Sequence, residues 1–398
     1  MRSIIVAAIT VTTIGVAGCG GEEPTPVTPP APPPAPSVTA TASAPPAPTE
    51  SAAPAPPPKP PLSDLIPQTL RGIADAVNAH DAKKVASYYA DDAIVVTYGY
   101  PATNGRDGVA TMLQAMLAVF PDLKFAAPRV WIKGNVAVVE TVSSGTMTGD
   151  FLALKATKKP AGNQAVFVYA FNDDGLVKES RQYGDDAGFL AQMKGAKGAP
   201  PVPVVPTSPP EVHVAKGTAD DDKLADWAKS IDDVVSKGDV AATAAQVSDD
   251  GDVWTNVSAA PAAKGKKDVA KAVGTWTKAF ADQKWSTTNA WGIDGYALIE
   301  HSVSATQKAA FGTLPASTKA IAGWHWIGIL QPTADNKIAH AWAYANALEA
   351  GEQTGALKLP VPALDKKAAS SSGAYRAPSD GGSKKKPAAA SPTAPAKK

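Results

Sequence analysis

The chain has 398 residues with 38 basic and 37 acidic side chains, and no basic stripe with interleaved aromatic residues, which argues against nucleic-acid binding. Its single cysteine cannot form an internal disulfide. Its 37 prolines are gathered into a few segments, so folded domains are expected to alternate with stretches that build no core.

The N-terminus has the features of a bacterial export signal. Arg2 precedes the apolar run Ile4–Val16, which is shorter than the ~20 residues that a membrane-spanning helix needs. The run ends at Cys19 in Val-Ala-Gly-Cys, which resembles the lipobox whose cysteine is lipidated after cleavage. Residues 1–19 are thus predicted to be a lipoprotein signal peptide with Cys19 as the lipidation site. The alternative is a plain signal peptide with an incidental cysteine.

Three further segments are predicted to be disordered. Residues 20–63 are a Pro-rich stalk, since polyproline spacing of ~3.1 Å per residue would lift the domains off a membrane. Residues 195–217 are a second Pro-rich segment, predicted to be a linker. Residues 359–398 hold 8 basic and 2 acidic side chains, and this tail is either a contact for anionic envelope polymers or a solvated end.

Two globular stretches, 64–194 and 218–358, are repeats of each other. The segment GRDGVATMLQAMLAVFPDLKF begins at Gly105 and GKKDVAKAVGTWTKAFADQKW begins at Gly265, a shift of 160 residues. The shift persists to Phe151 and Phe311 without a gap. A duplication explains this match better than shared composition does.

The elements of the first repeat predict an α+β fold, with helices first and an antiparallel meander after them. Apolar residues recur at helical spacing over Thr69–Ala90, with a break before Asp81, a good N-cap for a second helix. A third helix is predicted over Asp107–Phe120. The predicted strands are Ile94–Tyr98, Arg129–Ile132, Val136–Thr146, Ala165–Asn172 and Val177–Tyr183. The turn signal Asp173-Asp174-Gly175 separates the last two strands.

The order and the motifs of the first repeat resemble the SnoaL-like polyketide cyclase branch of the nuclear transport factor 2-like superfamily. The matching residues are Asp91, Asp92, Gly105, Arg106, Gly145, Thr146, Gly149, Phe151, Thr157, Lys159, Glu179, Tyr183, Asp185, Gly188, Leu190 and Gln192. The second repeat keeps fewer of them: Phe311, Gly312, Lys319, His340, Trp342, Tyr344 and Asn346. His340 stands in place of the glutamate and Asn346 in place of the second aspartate.

The resemblance implies two cone-shaped domains, each with a curved mixed or antiparallel sheet wrapped around three helices and an apolar pocket between them. It also implies that an aspartate of the last strand acts as acid and base, assisted by a histidine of the neighbouring strand. At those positions this chain has Gln182 and Ala343 for the aspartate, and Val168 for the histidine. Neither an amide nor a methyl group can exchange a proton, so a non-catalytic protein is favoured while catalysis stays open.

Other candidate residues are weaker. Glu140 and Glu300 occupy equivalent places in a central strand and would be bases if their face lined the pocket; otherwise they are structural. The candidate ligand-binding residues are Tyr88, Gln182, Trp324 and Trp326, which would hold a small apolar molecule unless they belong to the core.

No metal or cofactor is predicted. His301, His325 and His340 lie on successive strands, but no short histidine spacing supports a zinc site. Nucleophile and phosphate-loop motifs are missing from the sequence as well.

Three functions therefore remain: an envelope lipoprotein that binds a ligand or a protein, a SnoaL-like cyclase or isomerase with a non-standard acid, and a purely structural envelope protein. The repeats are expected to pair sheet to sheet within one chain, giving a monomer, because the outer sheet faces would otherwise expose apolar residues. Few charges are expected on that face, and Glu179 with Arg181 is expected to form a surface ion pair.

Overall fold

The computed structural model describes residues 59–258 and 260–359. In the first half the elements are α1 (Leu62–Asn78), α2 (Ala82–Ala86), β1 (Tyr89–Thr97), β2 (Thr103–Asn104), α3 (Gly105–Val119), β3 (Lys124–Lys133), β4 (Val136–Thr146), β5 (Pro160–Phe171), β6 (Val177–Gly184) and α4 (Asp186–Lys194). A strand β7 (Glu211–Val214) follows. The second half has α5 (Ala219–Ser236), α6 (Val240–Ala244), β8 (Val247–Thr255), β9 (Ala263–Lys264), α7 (Gly265–Ala279), β10 (Phe280–Ile293), β11 (Tyr296–Gln307), β12 (Ala320–Pro332), β13 (Ile338–Ala345) and α8 (Ala347–Thr354). The α+β class is confirmed.

Local chemistry sets several element boundaries. The Asp81 carboxylate accepts a hydrogen bond from the Lys84 amide, which starts α2 at the predicted break. The hairpin between β5 and β6 closes at Gly175, whose φ of +69° is a conformation that suits glycine. The Asn172 side chain braces the same turn by accepting from the amides of Asp174 and Leu176. The predicted strand Val136–Thr146 is confirmed, while β1, β3 and β5 each begin earlier than predicted.

The first sheet has the order β2-β1-β6-β5-β4-β3-β7. The strands from β3 to β6 form an antiparallel meander, and β1 pairs with β6 in parallel. The sheet is therefore mixed: after β1 and β2, α3 leads the chain to β3 at the other end of the meander, and the meander returns to β1, where β6 pairs with it in parallel. One apolar cluster, which includes Ile73, Val109 and Tyr169, fills the space between this sheet and helices α1 to α3.

The second sheet has the order β10-β11-β12-β13-β8-β9, which repeats the pairing of β3-β4-β5-β6-β1-β2. The third helix of each half begins at a glycine of positive φ, Gly105 or Gly265, whose absent Cβ would lie under 3.0 Å from a carbonyl oxygen. The sequence offset between equivalent residues of the two repeats rises from 160 to 161 in the last two strands. There Phe167 lies opposite Gln182 in the first sheet, and Gly328 lies opposite Ala343 in the second.

A second apolar cluster joins the two sheets. It combines buried residues of both halves, among them Trp131, Val138 and Tyr183 from the first, and Leu298 and Tyr344 from the second. Two sheet faces that each carry large apolar side chains thus cover one another, which removes them from water.

The prediction of a disordered linker needs correction. Residues 211–214 form β7, which pairs in parallel with β3 at the edge of the first sheet. His213 stacks on Trp131 at a ring-centroid distance of 5.9 Å. Earlier in the segment, the Gln192 amide donates to the carbonyl oxygens of Pro200 and Pro201, both at 3.2 Å. The prolines keep the segment extended, and an extended backbone can complete a sheet edge.

The predicted signal peptide, the lipidation site Cys19 and most of the stalk lie outside the described residues, as does the tail after Leu359. Within the described part, every helix is too short or too polar to cross a membrane.

Candidate functional site

The strand β6, on which the resemblance implies an acid/base residue, directs uncharged side chains toward the cone interior at that point. Ser180 and Gln182 of β6 face the cone interior, and the Thr97 hydroxyl donates to Gln182 Oε1 at 3.2 Å. Ser180 is fully buried, whereas Gln182 is half-buried. In the second repeat the equivalent place holds Ala343. No proton acceptor of useful pKa therefore stands at this position in either repeat.

The interior of the second cone is filled by aromatic residues. Trp324 and Trp326 are 1% and 5% exposed, and both rings contact Trp276 of α7. The Trp324 indole donates to the Asn346 carbonyl at 2.8 Å. Both residues are core residues, which corrects the expectation that they bind a ligand.

Tyr88 also packs within the first repeat. The Tyr88 ring lies against Gly72 of α1, where a Cβ would meet the hydroxyl at 2.2 Å. The ring joins the apolar cluster beneath the helices, and the Lys84 ammonium lies 5.1 Å from its centroid. These contacts place the side chain between α1 and α2, where it supports the helix pair.

Glu140 lies between the two sheets, not in the cone. Arg129 donates to both carboxylate oxygens from one edge of its guanidinium, through Nε and Nη2, with an Nη2–Oε1 distance of 2.9 Å. The Tyr344 hydroxyl of the second repeat donates to Glu140 Oε1. The Arg129 guanidinium also lies 3.9 Å from the centroid of the Trp342 ring. A carboxylate held in this way is engaged in structure, so the hypothesis of a base in the pocket is wrong for Glu140.

Glu300 occupies the matching place in the second repeat. The Arg181 guanidinium forms two hydrogen bonds with it at 2.9 Å, and the Tyr183 hydroxyl donates at 2.6 Å. The Asn289 amide of its own sheet donates to Oε2 at 2.7 Å. Arg181 also contacts Glu179, as predicted, but the Arg181 side chain is only 15% exposed, so the expected surface ion pair is a buried one.

Burial fixes the protonation of these centres. It raises the pKa of Tyr183 and of Tyr344 well above the ordinary value, and the adjacent glutamate raises it further in each case. Both phenols therefore remain donors at neutral pH. Burial opposes the charge on Arg181, but Glu300 more than offsets this and holds the pKa of Arg181 above its usual range. Thus the expectation of a face with few charges is wrong.

The three histidines of the second repeat do not converge. His301 Nδ1 lies 3.1 Å from Asp232, His325 Nδ1 lies 2.6 Å from Glu349, and His340 Nδ1 lies 3.2 Å from Asp252. Each imidazole thus has its own carboxylate on a different element. Residues 59–258 and 260–359 contain no group of three or more acidic, histidine or cysteine side chains placed to hold a metal ion.

A cluster of buried polar residues joins the last helices of the two repeats. Asp185 accepts from the Gly188 amide at 3.1 Å and so caps α4, and Asn346 caps α8 in the same way by accepting from Leu348. The Asn346 amide also donates to Asp186 Oδ2 at 2.7 Å. The Thr313 hydroxyl of the second repeat donates to Asp185 at 2.8 Å. Two adjacent carboxylates are thereby buried at the junction.

The pKa values of the two acids are displaced upwards. Burial raises the pKa of Asp185 to about 6, against the hydrogen bonds from Thr313 and Gly188. Burial also raises the pKa of Asp186 to about 7; the charge on Asp185 adds to this, and the Asn346 amide opposes it. No ion pair joins either carboxylate to a basic side chain in the part of the chain that the structure describes.

A cavity of about 320 Å³ adjoins this cluster. Its walls come from both repeats and from the linker: Gly162, Asn163, Gln164, Asp185, Phe189, Gln192, Pro200, Pro201, Pro203, Trp254, Thr255, Asn256, Ala260 and Pro261. Amide groups, two aromatic rings and one carboxylate thus surround a space large enough for a small organic molecule. This junction cavity, as we call it, is the strongest candidate site.

The site is not predicted by the sequence. Asp185 belongs to the family motif and Asn346 stands at the equivalent place in the second repeat, which is the available signal. That signal does not bring the two positions together, because their proximity depends on how the two sheets face one another.

Comparison with known proteins identifies the first domain. The profile of the SnoaL-like polyketide cyclase family matches residues 68–193. Proteins with curated descriptions yield no match.

Several solved structures are similar to part of the chain. One, from Jannaschia sp. CCS1, is provisionally described as a SnoaL-like polyketide cyclase. It is 18% identical, the match covers 36% of this chain and 99% of that chain, and the TM-score is 0.32. IdmH from Streptomyces antibioticus, described as a polyketide cyclase on the same provisional basis, has 22% identity, 32% and 97% coverage and a TM-score of 0.29. An LEH-like epoxide hydrolase of M. tuberculosis has 16% identity, 33% and 91% coverage and a TM-score of 0.28.

The α+β order, the mixed curved sheet and the family profile agree over one segment of the chain. Residues 68–193 are a SnoaL-like polyketide cyclase domain.

Proposed function

We propose that this protein is an exported, lipid-anchored envelope protein that binds a small molecule without transforming it, and that the junction cavity is the binding site. One observation carries the proposal: Gln182 faces the cone interior where the resemblance implies the family's acid/base aspartate, and its amide cannot act as a general acid or base at neutral pH. The second repeat is proposed to be a diverged copy of the same domain, in which Ala343 stands at this position.

The surroundings of the other acids support a binding role. Glu140 and Glu300 are held by arginine, tyrosine and, for Glu300, asparagine, so neither has a free face for a substrate. The second cone is filled by Trp276, Trp324 and Trp326. The junction cavity is open to a molecule and is lined by side chains of mixed polarity, as binding pockets usually are.

The proposed anchor rests on the sequence around Cys19. A lipidated cysteine followed by a Pro-rich stalk would hold the paired repeats at a distance from the membrane. Replacement of Cys19 by alanine is expected to release the protein from membranes. Persistence in the membrane fraction after salt and carbonate washes would contradict the lipoprotein proposal.

A second candidate function, a cyclase or isomerase, is favoured by one observation. Asp185 lines the junction cavity, and burial raises its pKa to about 6, within the range of a useful acid or base. That acid lies at the junction and not in the cone, so any such enzyme would differ in geometry from the family pattern.

The binding proposal is tested on full-length protein purified from membranes. Small molecules released by denaturation are identified by mass spectrometry and compared with those of two variants. Ala260→Trp places an indole at the exposed rim of the cavity, and the matched control Ala272→Trp places one on the exposed side of α7. We expect a molecule that is lost from Ala260→Trp only. Retention by Ala260→Trp would contradict the proposed site, and conversion of that molecule by the native protein would favour the enzyme.

A further inference from the structure

The two buried acids at the junction have no cationic partner. Asp185 is 4% exposed and Asp186 is 8% exposed. Among the described residues their partners are neutral: Thr313 and backbone amides for Asp185, and Asn346 and Asn163 for Asp186. A buried carboxylate is costly unless a positive charge or several donors compensate it. The site therefore has a deficit of positive charge.

One oxygen of the pair remains unused. Asp185 Oδ1 is buried and accepts no hydrogen bond of normal geometry within residues 59–258 and 260–359, whereas Oδ2 serves Thr313 and Gly188. Asp185 belongs to the wall of the junction cavity. The oxygen itself is covered, so a donor brought by a molecule in the cavity reaches it after a small movement of the side chains around it, while the cap bond uses the other oxygen.

The other lining residues of the cavity indicate the chemical nature of the rest of such a molecule. Phe189 and Trp254 contribute aromatic surface, and Pro200, Pro203 and Pro261 contribute aliphatic surface. Trp254 is already fixed by an edge contact with Tyr344 at a centroid distance of 5.4 Å. Aromatic faces near a carboxylate also favour an organic cation. A bare metal ion would leave most of the about 320 Å³ unfilled.

We propose that the junction cavity binds a primary organic amine in its ammonium form, with the ammonium group on Asp185 Oδ1 and an apolar body between Phe189 and Trp254. This inference rests on the proposed binding function and names the class of its ligand. The ammonium supplies the charge that the pair lacks, and the side-chain amides of Asn163 and Gln164 belong to the same wall.

Protonation of the pair gives the site a pH dependence. Four further titratable groups surround Asp185 and Asp186. Tyr100 forms a hydrogen bond with Asp186, and Glu352 lies near Tyr100. Glu349 of α8 pairs with His325 of β12. Each acid of this group has a raised pKa, so the site gains negative charge as the pH rises from 5 to 8. An aliphatic ammonium keeps its charge over this range, and binding is expected to tighten at least tenfold.

The test uses the full chain and two probes of equal size, 2-phenylethylamine and the neutral 2-phenylethanol, titrated by calorimetry at pH 8. We expect the amine to bind at least tenfold more tightly than the alcohol. Asp185→Asn should remove this preference, since asparagine still caps a helix but carries no charge. Ala260→Trp, which leaves the carboxylates in place, should remove the binding of both probes, and Ala272→Trp should change neither.

Four outcomes would overturn the inference: equal affinity for the two probes, no binding of either probe, an amine preference that survives Asp185→Asn with unchanged melting temperature, or Ca²⁺ binding that displaces the amine. A neutral molecule copurifying with the native protein and lost from Ala260→Trp would refute the amine class while the proposed binding function stands. If no copurifying molecule is sensitive to Ala260→Trp, the binding function itself fails.

Discussion

The two carboxylate centres between the sheets are equivalent by position but not by composition. Glu140 and Glu300 stand at the same place in the two repeats, and each accepts from the tyrosine of the opposite repeat, Tyr344 or Tyr183. The arginine differs: Arg129 comes from the strand beside Glu140, while Arg181 reaches Glu300 across the junction. The first repeat supplies both arginines, because residues 218–358 contain none.

The difference shows how two halves with the same strand order can bind equivalent carboxylates with side chains from different strands. Asn289 stands in the second repeat where the first has Arg129, so Glu300 depends on the opposite repeat for its cation. Trp342 stands where the first repeat has Arg181, and its ring covers Arg129. Each glutamate retains one guanidinium and one phenol. Glu300 is therefore linked across the junction by its ion pair with Arg181. Glu140 is linked across it by the hydrogen bond from Tyr344 and by the stacking of Trp342 on Arg129.

The largest effect is expected at Glu300. Glu300→Gln removes the carboxylate that takes two hydrogen bonds from Arg181 and leaves Glu179 as its remaining anionic partner. The loss in free energy of unfolding should be about 3 kcal/mol, measured by denaturant titration. The control is Asp222→Asn, which removes an exposed ion pair to Lys133 across the same junction and should cost under ~0.5 kcal/mol. Equal losses would mean that the buried centre does not hold the repeats together.

The acids of the junction cavity should lower stability as the pH rises. Burial raises the pKa of Asp186 to about 7, above the unfolded value, so its protonated form contributes stability that is complete near pH 4 and lost as pH rises through 7. Asp186→Asn should flatten this decline by on the order of 2 kcal/mol in the protein without ligand. Melting temperatures from pH 4 to 8 give the slope. An unchanged slope would show that Asp186 titrates normally.

Tyr183 and Tyr344 test whether the two carboxylate centres are energetically equivalent. Tyr183→Phe and Tyr344→Phe each remove one hydrogen bond to the equivalent glutamate, and each should cost about 1–2 kcal/mol because the acceptor is charged. Their effects should agree within ~0.5 kcal/mol if the two centres are equivalent. A cost at only one centre would indicate that the other tyrosine is replaced by water in solution.

A smaller effect is expected at the sheet edge that differs between the repeats. The edge of the first sheet is covered by β7, where His213 stacks on Trp131 and bonds Asp294 of the second repeat. His213→Ala should cost about 0.5–1 kcal/mol and raise hydrogen exchange of the β7 amides more than that of β4. Unchanged exchange in β7 would show that backbone pairing alone holds the strand.

The sequence predicted the elements more fully than the site. Helical spacing, the Asp81 cap and the turn at Gly175 are local signals, and they predicted α2 and the β5–β6 hairpin. Strand alternation placed Gln182 on the face opposite Arg181, as the structure shows. These features depend on a few neighbouring residues, so a single sequence is sufficient.

The roles of Glu140 and Asp186 could not be predicted in this way. Alternation gives two faces, but it does not say which face meets another sheet, so the sequence leaves Glu140 open as a base or a structural residue. Each acid has a partner in the other repeat, 204 residues away for Tyr344 and 160 for Asn346. The burial of these acids and the groups that surround them depend on how the two sheets pair.

The buried glutamates Glu140 and Glu300 are expected to join the two repeats into one cooperative unit. Differential scanning calorimetry of the full chain and of the double variant Glu140→Gln/Glu300→Gln measures this coupling. We expect one transition for the native protein, with equal calorimetric and van't Hoff enthalpies, and two separate transitions for the variant. Two independent transitions in the native protein, or one unchanged transition in the variant, would show that the glutamates do not couple the repeats.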